Sequence, residues 1–190
     1  MKNFDDLKKK CTGCQKCELS KTRTNVVFED GNRHAKIMLI GEAPGANEDE
    51  TGLPFVGRAG KLLTKILTEH GIDREKDVYI CNTVKCRPPE NRVPTDFEKQ
   101  QCREYLDSQI EYVKPKIIIL CGMTAVKSML STKLPISKIR GQFFDGPNSS
   151  KMIPIFHPSY LLRNHSLKEG SPRFLTNQDI EKIKNELISL

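Results

Sequence analysis

Four short apolar runs punctuate the chain: Lys36–Gly41, Val78–Asn82, Lys116–Gly122 and Met152–His157. Each is too brief for a typical helix and none alternates with polar residues, which is the pattern of strands buried on both faces of a parallel sheet. Between them the period lengthens. Leu62, Leu63, Ile66 and Leu67 fall at helical spacing within Gly60–Gly71, and Gly71 supplies a C-terminal stop. Thr95 with Glu98 three residues on opens a helix that runs to Val113, ahead of Pro115. A shorter helix is expected over Thr124–Leu130. A last one, over Thr176–Leu190, carries Ile180, Ile183, Leu187 and Ile188 on one side. Strands alternating with helices predict the α/β class, a three-layer α/β/α sandwich around a central, mostly parallel four-stranded sheet. The 190 residues suit a single domain. Residues 1–24 are polar, cysteine-rich and without strong period, and read as a lead-in tied to the body by its thiols. Asp145–Ser150 reads as a surface turn.

Composition narrows the function classes. Hydrophobic residues make up 37% and charged residues 29%, a soluble globular balance. Runs such as Ile117–Cys121 are far too short to span a bilayer, so no membrane partner is expected. The stretch Met1–Asp6 lacks the apolar core of a secretory signal. The expectation is a cytoplasmic protein with reduced thiols, in which seven cysteines point to metal or buried thiols rather than disulfides. A net charge of +7 suits a polyanionic partner, although charge alone favours nucleic acid only slightly. Lys8, Lys9 and Lys10 read as a solvated helix face, contact with phosphate being the other reading.

Ligands of open parallel sheets bind at the carboxyl ends of the strands, and that is where the unusual residues gather. The first strand runs into Gly41-Glu42-Ala43-Pro44-Gly45-Ala46-Asn47-Glu48-Asp49. This is either an ordinary turn or a loop whose exposed N–H groups hold a ligand. It matches neither the dinucleotide fingerprint nor a Walker A loop. Its acidic residues would repel phosphate, so a neutral ring with hydrogen-bonding edges fits better. Phe55, within Gly52-Leu53-Pro54-Phe55-Val56-Gly57, is either core or a face for a base. Asn82 ends the second strand, either capping a turn or offering donor and acceptor to an imide edge. His157 ends the fourth strand beside these groups. In the loop that follows, Leu161 and Leu162 lie between Ser159 and Arg163. It is either a buried anchor or a wedge for a duplex flanked by phosphate contacts.

Cys11, Cys14 and Cys17 give C-x-x-C twice over. Cys86 follows the second strand and Cys102 lies inside the next helix, while Cys81 and Cys121 fall in apolar strands as core thiols. Zinc and an iron–sulfur cluster both take four thiolates. The spread of the second pair over a loop and a helix favours a cluster. Spacing does not choose between Cys11/Cys14 and Cys14/Cys17.

Taken together, four stretches resemble the iron–sulfur uracil-DNA glycosylases, family 4 of the uracil-DNA glycosylase superfamily. They are Gly41–Gly45, Gly52–Gly57, Asn82-Thr83-Val84-Lys85-Cys86-Arg87-Pro88-Pro89 and His157-Pro158-Ser159-Tyr160-Leu161-Leu162-Arg163. The likeness runs from about Cys14 to about Leu175. It implies a monofunctional enzyme that flips deoxyuridine out of single- or double-stranded DNA and hydrolyses its N-glycosidic bond. It implies that Cys14, Cys17, Cys86 and Cys102 hold a [4Fe-4S] cluster and that Cys11 is extra. The cluster would place Lys85, Arg87 and Arg92 near the DNA backbone, joining Ser159, Leu162 and Arg163 as DNA contacts. Phe55 would stack on the base, and Asn82 would read its O4 and N3–H. The main chain of Gly41, Glu42 and Ala43 would touch the ring, and Glu48 would help exclude the 5-methyl of thymine. His157 would donate to O2, and Leu161 would fill the gap in the stack. Ala43 stands where other families of the superfamily place a water-activating aspartate, which leaves Glu42 as the carboxylate beside it. A rival of the same fold binds or covalently traps uracil DNA without turnover. Such trapping relatives carry a basic, histidine-containing loop that is lacking between Pro89 and Thr95. Nothing in the sequence demands a dimer, and a monomer is expected.

Overall fold

The computed structural model describes residues 3–189; Met1 and Lys2 of the lead-in, and Leu190 at the end of the expected C-terminal helix, lie outside them. In chain order the strands are β1 (Asp30–Gly31), β2 (Ile37–Gly41), β3 (Val78–Asn82), β4 (Ile117–Cys121), β5 (Phe144–Asp145) and β6 (Lys151–Ile155). The four apolar runs are β2, β3, β4 and β6, which pair in parallel in the order β3-β2-β4-β6. Two-residue antiparallel strands extend both edges, β1 against β3 and β5 against β6. The sheet is therefore six-stranded and mixed rather than four-stranded. A two-residue strand carries no periodicity, so the sequence pattern could not disclose either edge.

The helices are α1 (Phe4–Thr12), α2 (Leu19–Thr22), α3 (Ala46–Thr51), α4 (Arg58–Glu69), α5 (Asp96–Val113), α6 (Met123–Met129), α7 (Ile136–Ile139), α8 (Pro158–Arg163) and α9 (Pro172–Ser189). They cover both faces, because alternate residues of each buried strand point to opposite sides. Met38, Ile40, Tyr79, Ile118 and Leu120 face α1, α5 and α6. Ile37, Leu39, Ile80, Ile117 and Ile119 face α4 and α9. Each such side chain contributes about 1.5–3 kcal/mol by leaving water. The lead-in is more than a thiol tether. Asn3 caps α1, whose Phe4, Leu7 and Cys11 are buried in the core. Lys8 and Lys10 point outward to Glu29 and Glu104. Further along, the N–H groups of Thr24 and Asn25 donate to the buried Asp49 carboxylate of α3.

The first parallel strand, β2, lies inside the sheet. The chain leaves it for β3 on one side and returns to β4 on the other. That switch opens a crevice at the carboxyl ends of the strands. Gly41 and Asn82 are paired across β2 and β3 at the lip of that crevice.

Candidate functional site

The crevice holds a cavity of about 250 Å³, bordered by Glu42, Glu48, Phe55, Asn82, His157 and Ser159. This is below the ~300–1,000 Å³ of sites for drug-sized ligands and suits one planar base. A larger concavity of about 600 Å³ lies between α1 and α5, against Phe4, Leu7 and Tyr112. It reaches Lys114, ahead of the amino end of β4, and gathers none of the residues singled out in the sequence. Volume alone would select the wrong place.

Phe55 is held in a conformation that disfavours side chains, with φ +56°. Two groups fix it there. The Arg74 guanidinium, mostly buried, donates to the Pro54 and Phe55 carbonyls at 2.6 and 2.9 Å and pairs with Asp30 at 2.8 Å. The Glu48 carboxylate accepts from the N–H groups of Val56, Gly57 and Gly45 at 2.9, 2.8 and 3.1 Å. Glu48 thus borders the cavity while clasping the Gly41–Gly45 loop to the phenylalanine loop. Arg74 has no local sequence signal, because its partners are carbonyls 19 and 20 residues away. Arg74→Met is expected to lower stability by about 3 kcal/mol by stripping a mostly buried acceptor set of its donor. It is also expected to raise the inhibition constant of free uracil, read by denaturant unfolding and product inhibition. Lost stability with an unchanged inhibition constant would reduce Arg74 to a packing role.

His157 caps α8. Its Nδ1 accepts from the Ser159 N–H at 3.2 Å and lies 2.8 Å from the Ser159 hydroxyl. An acceptor Nδ1 puts the proton of the neutral ring on Nε2. Burial holds the imidazole below its ordinary value of 6.5, against the upward pull of Glu42 and Glu48. The ring lies 6.0 Å from Phe55, centroid to centroid. Gly122, at φ +90°, makes room for it: a Cβ there would approach the His157 Cβ at 3.0 Å. Glu42 is tied twice. Its main-chain oxygen accepts from the Thr83 hydroxyl at 2.5 Å, and its carboxylate accepts from the buried Thr124 hydroxyl of α6. The sequence reading missed Thr124, whose partner is 82 residues away.

Two expected DNA contacts do not reach the surface. Lys85 is fully buried, and its ammonium donates to the Asn82 carbonyl at 2.6 Å. Leu161 is 1% exposed and belongs to the core against α4, because α8 turns that face inward. Leu162 is half-buried, and Tyr160 is 39% exposed with its ring 5.2 Å from Phe156. Arg163 is exposed, and Arg87 is half-buried with its Nε on Asn91 at 2.8 Å. Arg92, also bordering the cavity, is bound to Glu98 through both terminal nitrogens at 2.6 and 2.9 Å.

Cys86 and Cys102 are buried and Cys14 and Cys17 half-buried, all as free thiols. Burial raises Cys17 and Cys86 above the ordinary thiol value and pushes Cys102 up to about 11, with the neighbouring thiols adding to the effect. Cys81 and Cys121 are wholly buried in strands, as expected of core thiols. Cys11 is buried beside the same group.

Residues 28–187 match the family model of the uracil DNA glycosylase superfamily. A type-4 uracil-DNA glycosylase of Thermotoga maritima is 51% identical over 93% of this chain and 89% of its own length. Type-4 enzymes of Archaeoglobus fulgidus and Saccharolobus solfataricus are 42% and 43% identical, over 89% and 100% of this chain and 88% of each relative. With the matched model spanning both the sheet and the crevice, and identity of this depth along nearly the whole length, this chain belongs to the uracil DNA glycosylase superfamily, within its type-4 group.

Proposed function

We propose that this protein excises uracil from DNA by hydrolysing the N-glycosidic bond of a flipped deoxyuridine, the step that opens base excision repair. One observation carries the reading. A neutral histidine with its Nε2–H free to donate shares a base-sized cavity with an aromatic face and an amide. The nucleotide leaves the stack at a few kcal/mol. Phe55 then covers one face of the ring, and the Asn82 amide pairs with O4 and N3–H. As the C1′–N1 bond lengthens, negative charge gathers on O2, where His157 donates. Preorganised donors of this kind are worth about 2.7–4 kcal/mol each. The sugar becomes cationic before water adds, so modest activation of that water suffices, and Ala43 is compatible with the chemistry. Glu42 orients the water, and Thr124 orients Glu42. Arg163, Ser159 and Arg87 hold the backbone, and Tyr160 and Leu162 offer the apolar surface to the strand. We read residues 1–190 as one such domain, acting as a cytoplasmic monomer.

The four cysteines suit a [4Fe-4S] cluster. They reach one place from the turn after α1, the loop after β3 and the interior of α5. Four thiolates drawn from three segments are the donor set that such a cluster takes. The Arg23 guanidinium donates to the Cys86 sulfur at 3.2 Å, an outer-shell bond of the kind that tunes cluster ligands. When bound, the cluster supplies a staple between the N-terminal segment and the loop carrying Arg87 and Arg92; the hydrolysis itself needs no electrons.

The deciding experiment is single-turnover uracil release from a labelled oligonucleotide by anaerobically purified protein. Release by a brown, cluster-bearing sample supports the reading, and tight binding without release refutes the activity. Within the mechanism, Thr124→Val is expected to lower the chemical rate about tenfold through loss of a bond to a charged acceptor. DNA affinity should be unchanged, and Thr124→Ser should restore the rate. A valine variant as fast as the parent removes Glu42 from the reaction.

A further inference from the structure

The surface beyond Asn82 is basic and aromatic. Asn82 borders the base cavity, and the next residue, Thr83, borders a separate groove of about 280 Å³ between α5 and α6. Lys99, Arg103 and Lys127 line that groove against a single carboxylate, Asp96. Lys99 neutralises Asp96 at 2.7 Å, and Arg103 donates to the Ser128 carbonyl of α6 at 2.6 Å, which holds the two walls together. Lys127 is exposed, and among the described residues no carboxylate lies within ion-pair distance of it. Two apolar side chains stand in water at the rim, Val93 at 60% and Phe97 at 59% exposure. They flank the Arg92–Glu98 pair, whose arginine borders the base cavity. Phe97 is also one helical turn from Gln100 in the groove wall. Isolated apolar residues on a surface need no explanation. An exposed ring between a base cavity and a groove of cations is another matter. Single-stranded nucleic acid is bound that way, with bases stacked on rings and cations tracking the phosphates.

We infer that the N-terminal half of α5, together with α6, is a second binding track for the DNA strand that carries the flipped nucleotide. Phe97 stacks on a neighbouring base, and Lys127 holds a phosphate over the groove. The inference rests on the DNA reading proposed above and extends it to a surface that reading does not use. Ser159 and Arg163 belong to α8, which seats on α4 on one face of the sheet. The helices α5 and α6 cover the opposite face. A strand held at both places crosses the carboxyl edge of the sheet, with the base cavity at the crossing. Anchors on both sides then fix the one nucleotide that has to leave the stack.

The chain contains no tryptophan, so Phe97→Trp puts a single reporter at the rim. Its fluorescence should be quenched when a saturating single-stranded, uracil-containing oligonucleotide is added to the full chain. Ile188→Trp, in the last turn of α9, should show no quenching. Phe97→Ala should raise Kd for that oligonucleotide about tenfold, the loss of one stacked base, with kcat/KM falling in step and the salt dependence unchanged. Affinity should return in Phe97→Trp. Lys127→Gln should raise Kd and lower the slope of log Kd against log salt by about 0.7, the share of one phosphate on a single strand. Absence of quenching at position 97, or an unchanged Kd in Phe97→Ala, overturns the stacking role and leaves the ring to a partner other than DNA. An unchanged salt slope in Lys127→Gln overturns the groove. A parent that fails to bind the oligonucleotide or to release uracil overturns the underlying reading instead, and so is told apart from failure of this inference.

Discussion

Replacing His157 with alanine is expected to lower the single-turnover rate of uracil release by about 10²–10³-fold, the loss measured when one preorganised donor to a developing oxyanion is removed. The affinity for uracil-containing DNA should change little. The argument is geometric. Ser159 occupies Nδ1 from the protein side, so the ring has one proton to give, on Nε2. That proton becomes useful as charge reaches O2, and so it acts on the barrier rather than on binding. The pH dependence follows from the same bond. A protonated ring would turn Nδ1 into a donor, so it would lose the Ser159 N–H and depend on the Ser159 hydroxyl at 2.8 Å as its acceptor. Burial holds His157 below 6.5, so the rate should stay level through neutrality and fall only below that value. The acid limb should vanish in the alanine variant. Stability moves in the same sense: the unfolded chain takes up the proton first, so stability is present above about 6.5 and declines as pH falls beneath it. His157→Gln, which keeps a donor, should recover part of the rate. Equal losses in rate and affinity on His157→Ala would contradict the assignment.

Much of this site was legible because two independent patterns met. The apolar runs marked strands, and the rule of strand ends placed Gly41, Asn82 and His157 at one lip without any knowledge of contacts. What stayed hidden depended on contacts across the fold. Glu48 reads as a pocket acid, yet its oxygens take three backbone N–H groups and hold two loops together. Lys85 reads as a surface cation among Arg87 and Arg92, but the turn after β3 aims it inward. Leu161 and Leu162 are indistinguishable in sequence, and only the seating of α8 on α4 decides which is core. Phe4 and Leu7 stand at helical spacing ahead of Cys11. The two aspartates and three lysines around Leu7 leave that stripe narrow, so the apolar face of α1 is weak in the sequence.

Gly41→Ala separates closing the pocket from damaging the fold. A Cβ at position 41 would lie 2.4 Å from the Asn82 amide oxygen and 2.5 Å from the tip of the Phe55 ring. Both obstacles are ends of side chains that can turn aside, so the strand keeps its register and the overpacking is expected to lower stability by about 1–3 kcal/mol at most. The groups that turn aside, however, are the amide that reads the base and the ring that stacks on it. Displacing a positioning group by about 1 Å is enough to lose ~10² in rate, so kcat/KM should fall at least that far while the denaturant midpoint moves little. Gly60→Ala provides the contrast. Its Cβ would meet the Phe55 carbonyl oxygen at 1.8 Å, a backbone clash with no side chain to yield, so stability and activity should be lost together. Adding Phe55→Leu to Gly41→Ala removes one of the two clashes and should restore the Asn82 geometry without restoring the stacking face. Inhibition by free uracil should then return only in part. If Gly41→Ala keeps the parent's kcat/KM, the base does not lie against Asn82 and Phe55. If it unfolds like Gly60→Ala, Gly41 serves the sheet and not the pocket.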